Sequence, residues 1–379
     1  MCRLISVLCM LVLAAVPAAG QFTSPTVFAI RVATGNNSVT LRNYNPATQT
    51  FGNDLFVPNT DTNALTIGNT ISSEGQLTVS PNGQFLGFVG YRTGMSGDGT
   101  DRVVARYEVT TGTLNTATAM PNAQAYTTSS IRTAVWNDSG TQFWSGGNGS
   151  STTGGTRTGA FQSTSGSIQV SATVVNTRVV GIFNGQLYTS TGSGATNGLN
   201  TVGTGLPTTS GNSTVRIADS TMTGSGSSSP YGFAISPNGL SLYMADDRSI
   251  ANGGGIQKWS RTDTSSAFTL ATTFGTGTGS TTGARGLAVD FSSADPTVYA
   301  VTAESSANRI VSFIDNGGVA SSFTVLDIAG TGTIYRGIAF SSVPEPGTVL
   351  GFSLGVFGLV RVIRRRGRAG SRSAAGPRP

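Results

Sequence analysis

Histidine is absent from all 379 residues, and both cysteines, Cys2 and Cys9, lie near the amino terminus. Without histidine the chain cannot form a Ser-His-Asp or Cys-His catalytic set. Zinc and copper sites usually take histidine or cysteine ligands, so the composition disfavours them as well. Lys258 is the only lysine, and we expect it to be a solvated charge on a strand rather than a Schiff-base lysine.

Charged residues make up only 11% of the chain, and their distribution makes the net charge of +6 misleading. Arg3 and seven arginines after residue 360 lie in the two terminal segments. The region between them, residues 21–343, has 15 basic and 16 acidic residues and so a net charge of −1. A chain with this distribution gives no support for a nucleic-acid partner.

The amino terminus has the three parts of a secretory signal peptide. Arg3 supplies a positive charge, residues 4–16 are apolar, and residues 17–20 are small enough for a peptidase site. The apolar run is shorter than the ~20 residues of a spanning helix. We predict that signal peptidase removes residues 1–20, give or take two; an uncleaved anchor is the alternative. The mature exported chain would then have no cysteine and no disulfide.

The carboxyl terminus carries a second targeting pattern. The tripeptide Pro344, Glu345, Pro346 precedes an apolar stretch at residues 349–360 and the basic residues Arg361, Arg364, Arg365 and Arg366. An apolar stretch followed by clustered arginines is typical of a short transmembrane helix whose basic end stays in the cytoplasm. We assign residues 343–368 to this segment and 369–379 to a disordered tail. Arg361 shortens the stretch, so this side chain must snorkel or the bilayer must thin.

These parts, in this order, resemble the PEP-CTERM sorting signal of Gram-negative bacteria, which the membrane protease exosortase recognises and cuts. Pro344, Glu345 and Pro346 match the tripeptide of that family, and the arginines match its basic end. The resemblance implies anchoring in the inner membrane before processing, then a place at the cell surface, in the outer envelope or outside the cell. An anchor that is never processed is the alternative. Exosortase systems resemble machinery associated with exopolysaccharide and biofilm, which implies a polysaccharide partner.

Residues 21–342 alternate short apolar runs with turns rich in glycine, serine, threonine and asparagine, which predicts an all-β ectodomain. Five segments share one order of apolar strand, polar turn and second strand. They begin at residues 77, 134, 179, 233 and 287, and a lone inner strand begins at residue 336. A spacing of roughly 45–58 residues is typical of a four-stranded propeller blade. The Ser-Pro-Asn-Gly turns resemble those of a broad class of bacterial propellers.

We therefore predict a β-propeller of six blades, with seven as the alternative because residues 145–169 cannot be divided. The strand at residue 336 would join strands at residues 26–32 and 38–44 and so close the ring. Glycine-rich tracts are predicted as loops at residues 146–158, 189–211, 221–229 and 275–283. The two clearest blades have strands at residues 233–236, 240–245, 255–259, 268–273, 286–290, 297–302, 309–314 and 322–328. A β-solenoid or a pair of β-sandwiches is the alternative fold.

Aspartates are the remaining candidates for chemistry: Asp98, Asp101, Asp138, Asp246, Asp247 and Asp290. Calcium prefers carboxylate and carbonyl oxygens, and paired carboxylates can cleave glycosidic bonds. However, no run has the alternating Asp/Asn spacing of a calcium loop, and aspartates at strand ends commonly cap turns. The sequence favours turn capping over a calcium site or catalysis.

The favoured function is a non-enzymatic binding or structural propeller of the extracellular matrix, without a cofactor. A calcium-dependent enzyme, either lactonase-like or acting on polysaccharide, is the alternative. Convergence of Asp246, Asp247 or Asp290 at the central channel would favour the enzyme. A channel lined by serine, threonine and backbone would favour the binding protein.

Overall fold

The computed structural model describes residues 25–342 except residues 223, 226, 278 and 279. The predicted signal peptide, transmembrane helix, sorting tripeptide, arginine cluster and tail lie outside the described residues. Within residues 25–342, apart from those gaps, no helix is long and apolar enough to cross a membrane. The helical segments of this described part are three 3₁₀ turns, at Gly194–Thr196, Ser220–Met222 and Ile250–Asn252.

The described chain forms 27 strands in six antiparallel sheets, which we call blades 1 to 6. Blade 1 contains β1 (Thr26–Ala33), β2 (Val39–Asn45), β3 (Thr50–Phe51) and β4 (Leu55–Phe56). Blade 2 contains β5 (Thr78–Val79), β6 (Phe85–Tyr91), β7 (Arg102–Glu108), β8 (Thr113–Asn115) and β9 (Ala119–Met120). Blade 3 contains β10 (Ile131–Trp136), β11 (Gln142–Gly147), β12 (Thr156–Ala160) and β13 (Ile168–Ser171).

The second half of the chain repeats the same order. Blade 4 contains β14 (Val180–Phe183), β15 (Gln186–Thr191), β16 (Gly198–Val202) and β17 (Thr214–Asp219). Blade 5 contains β18 (Pro230–Ile235), β19 (Ser241–Asp246), β20 (Gly255–Ser260) and β21 (Thr269–Phe274). Blade 6 contains β22 (Ala284–Asp290), β23 (Thr297–Thr302), β24 (Arg309–Asn316), β25 (Val319–Ala320) and β26 (Thr324–Ile328), and the last strand is β27 (Thr333–Ser341).

The last strand closes the ring as the sequence predicted. β27 pairs antiparallel with β1, with Thr26 opposite Ser341 and Phe28 opposite Ala339. It is the inner strand of blade 1 and lies between the inner strands of blades 2 and 6. The six-bladed, all-β architecture is therefore confirmed. In blades 1, 2 and 6 the outer strand is split into two short pieces that pair with the same neighbour.

The apolar core lies between the blades rather than at the centre of the ring. Six buried clusters are found in the described part of the chain, one at each contact between neighbouring blades. Between blades 1 and 2, for example, Phe28 and Ile30 pack with Phe88. Trp136 of blade 3 is fully buried, and its indole N–H donates to the Ala105 carbonyl of blade 2 at 3.0 Å. The second and third strands of a blade thus need apolar residues on both faces, because both faces contact a neighbouring blade, whereas outer strands such as β21 and β26 are largely exposed.

The Ser-Pro-Asn-Gly turns use the backbone freedom expected of them. Gly83 and Gly239 have φ angles of +76° and +73°, which side chains disfavour. In each turn a serine hydroxyl bonds the asparagine side chain, Ser80 to Asn82 and Ser236 to Asn238, both at 2.7 Å. These bonds fix the reversal between the first two strands of blades 2 and 5.

Two parts of the predicted strand map are wrong. The tract at residues 189–211, predicted as a loop, contains the whole of β16, where Leu199 and Val202 are fully buried. Small polar residues dominate this tract, and blade packing fixes it as a strand despite its low β-propensity. The tract at residues 146–158 likewise includes the end of β11 and the start of β12, and residues 145–169 divide into three strands of blade 3.

Removal of β27 should abolish cooperative folding. A chain ending at Gly332 would expose the edge of β1 and lose Ile334, Tyr335 and Ile338, which are at most 6% exposed. Each buried side chain of this size is worth about 1.5–3 kcal/mol, so the loss approaches the net stability of a domain. Thermal melting followed by circular dichroism should show no cooperative transition. A chain ending at Ser342 is the control; equal melting of the two chains would contradict the closure.

Candidate functional site

The channel contains a cavity of about 590 Å³ that reaches from Gln76 and Gly232 near the starts of the inner strands to Asn184 and Pro237 beyond their ends. It is lined by the inner strands of five blades, with apolar side chains such as Val79, Ile182, Phe233 and Leu287 alongside backbone. Serine and threonine contribute to this lining, as Thr78 and Ser292 do, but apolar residues dominate it, so the serine and threonine criterion for the binding protein is met only in part. The inner strands are apolar because their side chains also serve the contacts between blades.

Asp246, Asp247 and Asp290 do not converge. Asp290 ends β22 and borders this cavity, whereas Asp246 pairs with Pro230 at the start of β18, the opposite end of the channel. Asp246 is fully buried and accepts bonds from the Ser229 amide at 3.1 Å and the Arg248 guanidinium at 2.9 Å. Because the strands of a blade are antiparallel, consecutive strand ends lie on opposite faces of the ring.

The other aspartates accept bonds from nearby backbone amides. Asp290 accepts from Ser292 at 2.9 Å, Asp138 from Asn82 at 2.8 Å, Asp98 from Met95 at 2.9 Å and Asp101 from Asn122 at 3.1 Å. Such bonds hold turns in place. Among the described residues no three acidic side chains come together in a group that could hold a metal ion.

Lys258 is not the solvated charge that the sequence suggested. Its Nζ lies 2.6 Å from Oδ2 of Asp315, whose side chain is fully buried, and the Tyr243 hydroxyl bonds the same carboxylate. The Lys258 side chain is only 18% exposed. Lys258 of blade 5 therefore neutralises a buried carboxylate of blade 6. The two residues are 57 positions apart in the sequence and meet only where these blades pack together.

Four arginines occupy the opposite mouth of the channel: Arg132, Arg178, Arg285 and Arg336, here called the arginine ring. Arg132 and Arg285 are the second residues of the inner strands of blades 3 and 6, Arg178 precedes that of blade 4 by two positions, and Arg336 is the fourth residue of β27 in blade 1. In blade 3, Ile131 and Thr133 pair with consecutive residues of β11, so Arg132 is an extra, bulged residue. Arg285 is bulged in the same way on β22. On β27 two residues, Arg336 and Gly337, stand opposite one residue of β1.

A β-bulge turns the side chain of its extra residue away from the regular alternation. This explains how long basic side chains leave strands whose other residues fill apolar contacts between blades. Blade 5 has a bulge at the same place, which contains Tyr231. Blade 2 supplies Glu74 just before β5. All six blades therefore contribute to this mouth.

Tyr231 and Glu74 join the arginines into one cluster. The guanidinium carbon of Arg178 lies 4.3 Å from the centre of the Tyr231 ring, and that of Arg285 lies 5.9 Å from it. Glu74 is 1% exposed, and its charge acts on both Arg132 and Arg336. Cation–π contacts of this kind stabilise a guanidinium that has left bulk water.

Most other contacts of the arginine ring are to neutral groups. Arg178 donates to the Ser229 hydroxyl at 2.6 Å, Arg132 to the Thr177 carbonyl at 2.9 Å and Arg336 to the Asn69 carbonyl at 2.8 Å. Arg285 is the exception, because its Nε donates to Asp247 at 2.8 Å. The arginine ring thus has two acidic neighbours, Glu74 and Asp247, for its four cations, whereas Asp246 at the same end is paired with Arg248.

Burial shifts the pKa values of the cluster. Burial raises the pKa of Glu74 to about 7, although hydroxyls of Tyr91 and Ser130 and the charges of Arg336 and Arg132 oppose the shift. Burial, together with the charge of Arg285, lowers the pKa of Arg336 to about 10. Burial and then the charge of Arg178 lower the pKa of Arg132. The arginines thus repel each other in a partly dehydrated mouth.

The repeat pattern of the sequence does not by itself reveal this cluster. The repeats begin at residues 134, 179 and 287, just after Arg132, Arg178 and Arg285, whereas Arg336 is itself the first residue of the last repeat. The bulges break the two-residue alternation that defines a strand in sequence. A signal was nevertheless present, because an arginine stands at the start of a repeat or within two residues before it in four of the six repeats.

The raised pKa of Glu74 predicts a pH-dependent stability. Between its unfolded value of 4.5 and its folded value of about 7, the native state binds more protons than the unfolded state, so stability falls as pH rises through this window. Across this window the free energy of unfolding of the parent chain should fall by on the order of 3 kcal/mol more than that of Glu74→Gln. Urea unfolding of both proteins at pH 5 and pH 8 measures it. Glu108→Gln is the control and should show the same difference in unfolding free energy between pH 5 and pH 8 as the parent chain. If Glu74→Gln also shows the parent's difference, the raised pKa of Glu74 is refuted.

Comparison with known proteins identifies the carboxyl-terminal segment. The PEP-CTERM protein-sorting motif matches residues 342–366. This range includes the tripeptide Pro344, Glu345, Pro346 and the basic residues Arg361, Arg364, Arg365 and Arg366. This match and the six-bladed fold confirm the resemblance drawn from the sequence: the chain contains a β-propeller followed by a PEP-CTERM sorting motif. The motif indicates export and processing by an exosortase. The individual roles of the sorting residues stay predictions.

Solved structures resemble this chain only distantly, with TM-scores below 0.5. TolB from Acinetobacter baumannii has a TM-score of 0.49 at 10% identity, over 83% of this chain and 66% of that chain. A candidate 6-phosphogluconolactonase from Bacteroides uniformis has a TM-score of 0.44 at 16% identity, over 82% of each chain. A protein from Lactobacillus plantarum has a TM-score of 0.47 at 10% identity, over 84% of this chain and 99% of that chain. These likenesses concern the fold alone. No curated protein matches the sequence significantly.

Proposed function

We propose that this chain is an exported propeller that exosortase processes and that acts, without catalysis or a cofactor, as a binding or structural component at the cell surface or in the extracellular matrix. One observation carries the proposal. The ring is complete at Ser341, the last residue of β27, and the matched motif begins at residue 342. Cleavage within the motif would therefore remove no part of the fold.

The propeller fits a binding role better than a catalytic one. Asp246, Asp247 and Asp290 are each engaged in hydrogen bonds and are divided between two faces of the ring. The channel cavity is largely apolar, and the cationic mouth has no nucleophile paired with a base. We propose an exopolysaccharide as the partner, because it is the polymer that the sorting system implies and because the cationic mouth suits an acidic one.

The position of the motif also supports the proposed order of events. The signal peptide would direct residues 21–342 across the inner membrane, and residues 343–368 would hold the chain there until exosortase cuts. Because β27 needs only residues up to Ser341, the propeller can fold while still anchored. Cleavage would then release or transfer a folded domain rather than an unfolded chain.

Substitution of Glu345 by alanine should block processing. In a host with exosortase, the Glu345→Ala chain should stay in the membrane fraction at its unprocessed mass, because the central residue of the tripeptide is lost. Immunoblotting of membrane and extracellular fractions, with mass spectrometry of the product, measures this. Thr348→Ala, three residues away in the same motif, is the control. If Glu345→Ala matures to the same mass and location as the parent, the sorting role is refuted.

A further inference from the structure

We propose that the arginine ring is a binding site for an oxyanion, and that the oxyanion is an acidic group of a polysaccharide. The site would consist of Arg132, Arg178, Arg285 and Arg336 around Tyr231. The polysaccharide part rests on the proposed function; the oxyanion site itself does not.

The first argument is charge. Four guanidinium groups share this mouth with Asp247, which pairs with Arg285 at 2.8 Å, and with Glu74. With Glu74 ionised the cluster has an excess of two positive charges, and with Glu74 protonated an excess of three. Buried charges are normally matched by opposite charges, because the loss of hydration is otherwise uncompensated. A bound anion would supply the missing negative charge.

The second argument is hydrogen bonding. The Nε atoms of Arg132 and Arg336 are buried and have no hydrogen-bond partner within the described residues. The same holds for Nε2 of Gln76, a residue that is 2% exposed and whose backbone amide donates to the Arg132 carbonyl at 3.1 Å. One buried acceptor of the cluster, Oε2 of Glu74, is also without a partner in the part of the chain that the structure describes, so unpaired donors outnumber unpaired acceptors three to one. Such an excess is unusual, since buried polar groups are nearly always bonded. An anion with several oxygens accepts from such donors.

The third argument is geometry. Arginine forms two parallel bonds to a carboxylate, sulfate or phosphate group, which a lysine cannot do. Gly75 has a φ of +78°, and a side chain there would meet Cβ of Arg336 at 3.0 Å. Blade 2 therefore leaves room for the arginine from the closing strand. The Tyr231 ring supports Arg178 from one side, which holds its planar face in position.

The mouth admits an acidic group but not a whole polymer. Arg336 is 2% exposed and forms the floor, whereas the Arg285 side chain is 17% exposed and Arg132 and Arg178 are half-buried. A substituent such as the carboxylate of a uronic acid can reach these arginines from solvent. The rest of the chain would then lie on the surrounding face, whose loops are rich in serine, threonine and asparagine.

Isothermal titration calorimetry of the full chain in mild detergent tests the proposal. The ligands are an oligogalacturonate, a neutral galactose oligomer of equal length and inorganic phosphate. Arg132→Gln and Arg178→Gln each remove one guanidinium group of the arginine ring. Arg216→Gln is the matched control, because Arg216 forms a surface pair with Asp219 on the outer strand of blade 4. Melting without ligand shows whether each variant is folded.

We expect the oligogalacturonate to bind, the neutral oligomer not to bind, and phosphate to compete. Each ring variant should weaken binding about 10–100-fold, the value of hydrogen bonds to a charged group. Arg216→Gln should bind like the parent chain, and Arg178→Lys should recover only part of the affinity. The competition between phosphate and oligogalacturonate is measured on the parent chain. This part of the test therefore remains valid even if a substitution unfolds a variant.

Three results would overturn the proposal. They are no binding of oligogalacturonate, equal binding by folded ring variants, or binding of phosphate without binding of oligogalacturonate. The last result would leave a free oxyanion as the ligand and reject the polysaccharide. Because this assay does not depend on processing, failure of the Glu345→Ala prediction would reject the proposed sorting while leaving the anion site intact.

Discussion

The pairing of β27 with β1 is the constraint on which the rest of the molecule depends. Each blade buries both faces against its neighbours, so an open ring would expose two apolar faces. The chain has no disulfide among its described residues to hold such a ring closed, since its cysteines lie at residues 2 and 9. Closure therefore rests on backbone hydrogen bonds and on the clusters at either side of blade 1.

Closure also assembles the candidate site. Arg336 lies on the closing strand, Glu74 lies in the segment before blade 2, and Arg285 belongs to blade 6, so these groups meet only when the ends of the chain are joined. The bulge at Arg336 and Gly337 stands opposite Ile30 of β1, so the pairing that closes the ring also aims this arginine. The pairing of β27 with β1 thus both stabilises the ring and brings the groups of the cationic mouth together. The sorting motif follows directly after this strand.

Much of the architecture could be predicted from sequence because propeller blades repeat. Apolar alternation, the Ser-Pro-Asn-Gly turns and the spacing of the copies predicted the fold, and the lone copy at residue 336 predicted the closure. β16 could not be predicted, because its glycine, asparagine and threonine residues are strand-forming only through packing of Leu199 and Val202. The arginine ring depends on bulges, which are set by pairing between strands. The partner of Lys258, Asp315, belongs to the next blade and is likewise a tertiary contact.

Hydrogen exchange of backbone amides, followed by mass spectrometry, tests the closure most directly. Strands that open only on global unfolding exchange slowly, whereas frayed ends exchange quickly. The account predicts that peptides from β1 and β27 are protected as strongly as peptides from β18 and β19, whose pairing is local in sequence. Fast exchange confined to β1 and β27, with the other blades protected, would contradict a ring held shut by its two ends.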